Sequence, residues 1–237
     1  MHASSLHYFP VTWPFLLILA VLLGAVAGVV AARMINYAAS DMGIGPRTIL
    51  ALLLFSLLGS YINIPVAYLP DQAMQTVAEF TYFGVTYIVP VTREWPATML
   101  AINVGGAVIP ILLSLYLVRT KRLYGASLIG ITVVAMVCHF LARPIPGLGI
   151  VEPVFAPPLI AALVSLLLSR RHAAPLAYIT GSLGTLIGAD LLNLDKLQGL
   201  GAPILSIGGA GTFDGIFVTG LVAVLYASLV THRTIRQ

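Results

Sequence analysis

Seven stretches of this chain carry so few polar groups that they fold only where water is excluded. They run over about 14–32, 48–69, 96–118, 125–142, 153–169, 174–194 and 212–230. Several are long enough to cross about 30 Å of hydrocarbon at a rise of 1.5 Å per residue. β-barrel spans would alternate apolar and polar residues, and these do not. Charged residues make up 8% of the chain, against roughly 25% in a soluble domain. The expectation is an all-α membrane protein of about seven transmembrane helices, folded as one polytopic domain over 1–237, with the lipid bilayer as its first partner.

The charges that remain set the orientation. Arg33 and Arg47 follow the first stretch, Arg119, Lys121 and Arg122 the third, Arg170 and Arg171 the fifth, and Arg233 and Arg236 close the chain. Lys and Arg concentrate in cytoplasmic loops, so the N-terminus is expected outside and the C-terminus in the cytoplasm; Arg93, Arg143 and Lys196 are exceptions. The net charge of +4 comes from these short loops, none long enough to track phosphates, so no nucleic-acid partner is expected. The leading "MHASSLHYFPVTW" has no Lys or Arg, so the first stretch reads as a retained span rather than a signal peptide. With the one cysteine, Cys138, inside an apolar run, there is neither a disulfide framework nor a thiol metal cluster.

Segment 77–91, "VAEFTYFGVTYIVPV", is apolar but rich in aromatic and β-branched residues, with Glu79, Gly84 and Pro90 along it. Counting it as a span would place every later basic loop outside. It is therefore expected as a re-entrant or β-like outer element, a strand or hairpin, tolerable only where protein or water covers its backbone. In 195–212, "DKLQGLGAPILSIGGAGT", the glycines and Pro203 forbid a continuous helix and leave a short strand near 204–207 before a Gly-rich loop.

An ionisable side chain in lipid is costly and marks a candidate site. Asp190 lies in the last turn of the sixth span and Asp214 in the first turn of the seventh. Asn193 shares the Asp190 face, Asn63 and His139 lie near the outer ends of the second and fourth spans, Asn103 lies about two turns inside that of the third, and Glu152 opens the fifth span. With the expected orientation all fall in the outer half of the membrane, whereas scattered structural polar residues would prefer neither leaflet. Small residues recur every four positions in the sixth span (Gly181, Thr185, Ala189, with Gly184 and Gly188), the seventh (Gly211, Gly215, Thr219, Ala223, Ala227) and the first (Ala20, Gly24, Gly28, Ala32). Such ridges permit close helix packing. A sixth helix with a close-packed side and a carboxylate opposite is expected inside the bundle.

"GADLLNL" followed by "SIGGAGTFDGIF" resembles the signature of a bacterial and archaeal family of multi-spanning membrane proteins, domain of unknown function 1614. That resemblance implies a cell-membrane (plasma-membrane) location and no activity. The two acids on consecutive spans more loosely resemble intramembrane aspartyl proteases of the presenilin and signal-peptide-peptidase type. There Asp190 would match the first catalytic aspartate and Asp214 the second. Ala189 stands where that family has Tyr, two residues separate Gly211 from Asp214, and no Pro-Ala-Leu helix follows.

Two functions share this set. In an aspartate-dependent intramembrane hydrolase, Asp190 and Asp214 would share a proton and activate water. Asn193, Asn103, His139, Glu152, Gly209 and Gly211 would line the substrate side, and the partner would be a membrane-embedded peptide. In a transporter or small-ligand and ion-binding protein, the same chamber would hold a cation or proton-coupled solute. His139 has no second His near it to make a metal site, so no metal and no cofactor are expected. The oligomeric state is left open.

Overall fold

The computed structural model describes residues 13–69, 72–95, 98–145, 149–197, 204–209 and 215–235. Among these are seven α-helices: α1 (Trp13–Met42), α2 (Pro46–Gly59), α3 (Ile109–Lys121), α4 (Tyr124–Leu141), α5 (Ala156–Leu168), α6 (Ala173–Thr185) and α7 (Gly215–Ile235). Segments Leu16–Met42, Val104–Lys121, Tyr124–Leu141 and Ala173–Leu194 are long and apolar enough to cross a membrane, and α2, α5 and part of α7 are shorter apolar helices. Prolines open α2 and α5, where the missing N–H is one that no helical carbonyl would have accepted.

The all-α expectation is corrected by seven strands: β1 (Asn63–Leu69), β2 (Gln72–Tyr82), β3 (Val85–Trp95), β4 (Thr98–Asn103), β5 (Arg143–Ile145), β6 (Gly149–Val151) and β7 (Ile204–Ile207). The stretches expected as spans 48–69 and 96–118 are each part strand. α2 stops at Gly59, and β1 begins at Asn63, in a run where Ile64, Val66 and Pro65 disfavour helix. The bulge in the β1–β4 pairing falls between Pro65 and Ala67, the place for a residue with no ladder donor. On the other side, β4 gives way to a π-helical turn, Val104–Val108, before α3.

That turn has a packing cause. A Cβ on Gly105 would stand 2.5 Å from the Ser60 nitrogen and 3.0 Å from the Gly59 carbonyl carbon. The backbone therefore touches the end of α2 directly, and Ser56 Oγ donates to the Gly105 carbonyl at 2.9 Å. The segment expected as β-like is a hairpin, β2 paired antiparallel with β3 from Gln72↔Trp95 to Tyr82↔Val85. Its two-residue turn has φ of 49° at Phe83 and 77° at Gly84, the doubly left-handed conformation that matches strand twist. The expected strand at 204–207 is β7, which pairs in parallel with β4; β1, β4 and β7 form one three-stranded sheet.

The sixth helix lies inside the bundle, as its small-residue faces require. α6 touches α1, α3, α4, α5 and α7, and every residue from Ala173 to Ser182 is buried. Gly181 faces Ala161 of α5 and Ala223 of α7, at 3.3 and 3.4 Å from a notional Cβ. Gly184 and Gly188 face Val134 and Ala135 of α4 so closely that a Cβ would come within 2.6 Å of Val134 Cγ1 and 2.8 Å of the Ala135 Cα. The ridge of α1 behaves differently. Gly24 and Gly28 have nothing within 4 Å, and among the described residues α1 packs through its second half, where Ala38, Ala39 and Met42 are buried and Tyr37 Oη donates to the Ser228 carbonyl at 3.1 Å.

Candidate functional site

Polar groups gather at one end of the bundle, where α2, α4 and α6 finish and α3 and α5 begin. α6 runs on into a π-helical turn, Leu186–Asp190, and a 3-10 segment, Leu191–Leu197. The Asn193 side chain closes the wide turn: its Nδ2 donates to the Gly188 and Ala189 carbonyls at 2.8 and 2.9 Å, and its Oδ1 accepts from Lys196 Nζ at 2.7 Å. Its polar atoms are thus taken up by the helix end it holds.

Asp190, at the close of the π turn, is half-buried, and its Oδ2 accepts from the Gly208 N–H at 2.6 Å. Gly208 follows β7 with φ of 79°, and a Cβ there would lie 2.7 Å from both the Ala107 nitrogen and the Gly106 carbonyl carbon. Only glycine fits that position. The contact binds α6 to the sheet through a charge-assisted hydrogen bond.

A second polar knot roots the sheet. Asn103, buried, donates through Nδ2 to the Ser60 carbonyl at 2.7 Å and to Asn63 Oδ1 at 3.1 Å, while its Oδ1 accepts from the Gly106 N–H at 2.8 Å. Ser206 Oγ of β7 donates to the same Asn63 oxygen at 2.6 Å. Gly209 packs over this knot, its notional Cβ 2.8 Å from Ser206 Cβ and 3.5 Å from Asn103 Cβ.

Glu152 stands in the connector between β6 and α5. Its Oε1 is buried without a hydrogen-bond partner, an expensive state for an ionised oxygen. Burial, and then the negative charge of Asp190, push the carboxyl up to about 7, partly offset by a hydrogen bond with the Cys138 thiol. Cys138 in turn lies 3.8 Å from Thr185 Oγ1 of α6. Glu152 lines a pocket of about 350 Å³ with Phe140, Leu141, Arg143, Ile145, Val151 and Pro153. His139, one residue beyond Cys138, meets the Phe140 ring edge-on at 5.8 Å, and its buried Nδ1 has no hydrogen-bond partner.

Asp190 thus lies near enough for its charge to raise the Glu152 carboxyl, Asn103 lies beside Gly209, and Asn193 holds the end of α6. Asp214 and Gly211 lie outside the described residues. Cys138, Thr185 and Ser206 belong to the site and were not singled out for it. Only their spacing offered a signal: Cys138 and Thr185 lie along the close-packed line where Gly184 and Gly188 receive α4. Among the described residues no group of three or more His, Cys, Asp or Glu is placed to hold a metal ion.

Fold and site define a multi-helix membrane protein with a half-buried carboxylate pair at one end of its bundle. The family model described as "Protein of unknown function (DUF1614)" matches residues 57–226, so the chain belongs to that family. The match spans the sheet, the π turns, Glu152 and Asp190, and leaves out all of α1 and most of α2. Searches of curated proteins and of solved structures return no match.

Proposed function

We propose that this protein binds a small cation, the proton first among them, at the Glu152–Asp190 pair. One observation carries the reading: Glu152 keeps a buried carboxylate oxygen with no partner while a second carboxylate stands beside it. Two neighbouring carboxylates do not both ionise cheaply, so one holds a proton or shares a cation. A carboxyl raised to about 7 exchanges its proton in the physiological range. The pocket lined by Arg143 and Pro153 gives that exchange a route to solvent. The basic loops favour an orientation with this end of the bundle outward, in a plasma membrane.

Infrared difference spectroscopy between acid and alkaline pH tests the reading. The wild-type protein in lipid should show a carboxylic C=O stretch that titrates near 7 and is missing in Glu152→Gln. The same band at full strength in that variant would refute it.

The second reading is the aspartate-dependent hydrolase acting on a membrane-embedded peptide. It is favoured by the Gly208-to-Asp190 bond, which draws the chain preceding Asp214 back toward Asp190. Under it, Asp190→Asn and Asp214→Asn, each expressed to the normal level, abolish cleavage alike. Under the cation-binding reading, Asp214→Asn leaves the Glu152 titration in place.

A further inference from the structure

We propose that the β2–β3 hairpin is an amphipathic ribbon that rests on the bilayer interface, with Tyr82, Val85, Tyr87 and Val89 toward lipid and Glu79, Thr81 and Thr86 toward water. The register carries the first half of this claim. Tyr82 stands opposite Val85 and Ala78 opposite Val89, and Tyr87 lies two residues along from each, so these positions share one face. Thr81 pairs with Thr86 and Glu79 with Ile88 on the other, and the two threonine hydroxyls meet at 3.3 Å. Ile88 is apolar on that second face, as are Val77 and Pro90 further from the tip, so its polar stretch is Glu79, Thr81 and Thr86 near the turn.

The described side chains of the apolar face stand about half open. Tyr82, Val85, Tyr87 and Val89 are each more than 40% exposed, and Phe83 at the tip is 90% exposed. A lone two-stranded hairpin is marginal in water, so an aromatic face of this kind gains from cover.

The physics selects the occupant. Each strand is 11 residues long, so each of the ribbon's two free edges presents about ten unpaired backbone groups, about twenty in all. In the hydrocarbon core each of these would cost at least as much as one apolar side chain gains there. About twenty losses outweigh four or five gains, so the ribbon neither spans nor re-enters the core. At the headgroup level water satisfies the edges while the rings reach the acyl boundary, the setting in which amphipathic Tyr rings concentrate. The ribbon is also tethered there. β1 and β4 root it at Asn63 and Asn103, four residues after α2 ends and one before the π turn that leads into α3. The bilayer is therefore met at high effective concentration.

The test uses the full chain in phosphatidylcholine–phosphatidylglycerol nanodiscs, with single cysteines at 79, 81, 82, 85, 86, 87 and 89 carrying a nitroxide. Native Cys138 is fully buried, and the unsubstituted chain is the labelling control. Collision rates with oxygen and with a nickel chelate report the surroundings of each label. Positions 82, 85, 87 and 89 should be several-fold richer in oxygen relative to nickel than 79, 81 and 86, and all should read a headgroup depth. Tyr82→Asp with Val85→Asp should raise nickel access at 87 several-fold. Equal nickel access on both faces, loss of nickel access on both, or dipolar broadening that vanishes on dilution with unlabelled chain would each overturn the proposal, the last in favour of a second copy as the occupant.

Discussion

Replacing Glu152 by glutamine should abolish a specific loss of stability between mildly acid and neutral pH. In the unfolded chain the carboxyl titrates at its ordinary 4.5; in the folded chain it holds its proton up to about 7. Below about 4.5 both states are protonated. Between the two values the folded chain keeps a proton that the unfolded chain has released, so stability falls as pH rises, and the fall is complete above about 7. At ~1.4 kcal/mol per pH unit the interval corresponds to about 3 kcal/mol. Part of the side chain remains in solvent, which screens the charge and brings the expected effect to about 1–2 kcal/mol. For a chain of this length that is about 3–7 °C in midpoint temperature. Thermal unfolding in detergent micelles at half-unit pH steps from 4 to 8 measures it. Glu152→Gln should melt like wild type at pH 4.5 and several degrees higher at pH 8. Asp190→Asn keeps an oxygen for the Gly208 N–H but removes the neighbouring charge, so it should move the midpoint of the pH effect downward. An unchanged pH slope in Glu152→Gln, or an unmoved midpoint in Asp190→Asn, would refute the carboxyl pairing.

Three further substitutions test the packing beneath the site. Gly208→Ala puts a side chain at φ of 79° and 2.7 Å from the Ala107 nitrogen; it should cost about 2 kcal/mol or more, lower the melting midpoint and, by displacing the N–H that holds Asp190, weaken the Glu152 pH effect. Gly188→Ala should destabilise by about 1–3 kcal/mol, because its methyl would fall 2.8 Å from both the Ala135 Cα and the Cys138 Cβ. Gly28→Ala, in the same four-residue pattern but with nothing within 4 Å, should stay within about 0.5 kcal/mol of wild type. Equal melting midpoints for the two variants would contradict the packing described.

What the sequence made legible was set by periodicity and by local backbone preference. The interior place of α6 followed from glycines on one side and Asp190 on the other, and the hairpin from β-branched and aromatic residues around Gly84. The short strand at 204–207 followed from the glycines and proline that flank it. The breaks at Gly59 and Asn103 did not, because hydropathy reads "FSLLGSYINIPV" and "ATMLAINVGGAVIP" as evenly apolar. What ends α2 is Gly105 lying on its last turn, a contact between residues more than forty apart. Likewise Glu152 and Asp190 lie 38 positions apart, and nothing local to either announces the other.

The same long-range contacts explain why the acidic pair stands where it does. A carboxylate at the end of α6 would ordinarily turn to solvent. Here the left-handed turn after β7 presents the Gly208 N–H to it, and β7 is held against β4 by four paired positions, Met99↔Ile204 to Ile102↔Ile207. β4 is held in turn by Asn103 on the end of α2. Asp190 is thus held in place by a donor that the sheet supplies, and its charge is one of the two forces that raise the Glu152 carboxyl. The strands interrupting two of the expected spans are therefore part of the site's geometry: the sheet supplies the Gly208 N–H that fixes the Asp190 carboxylate.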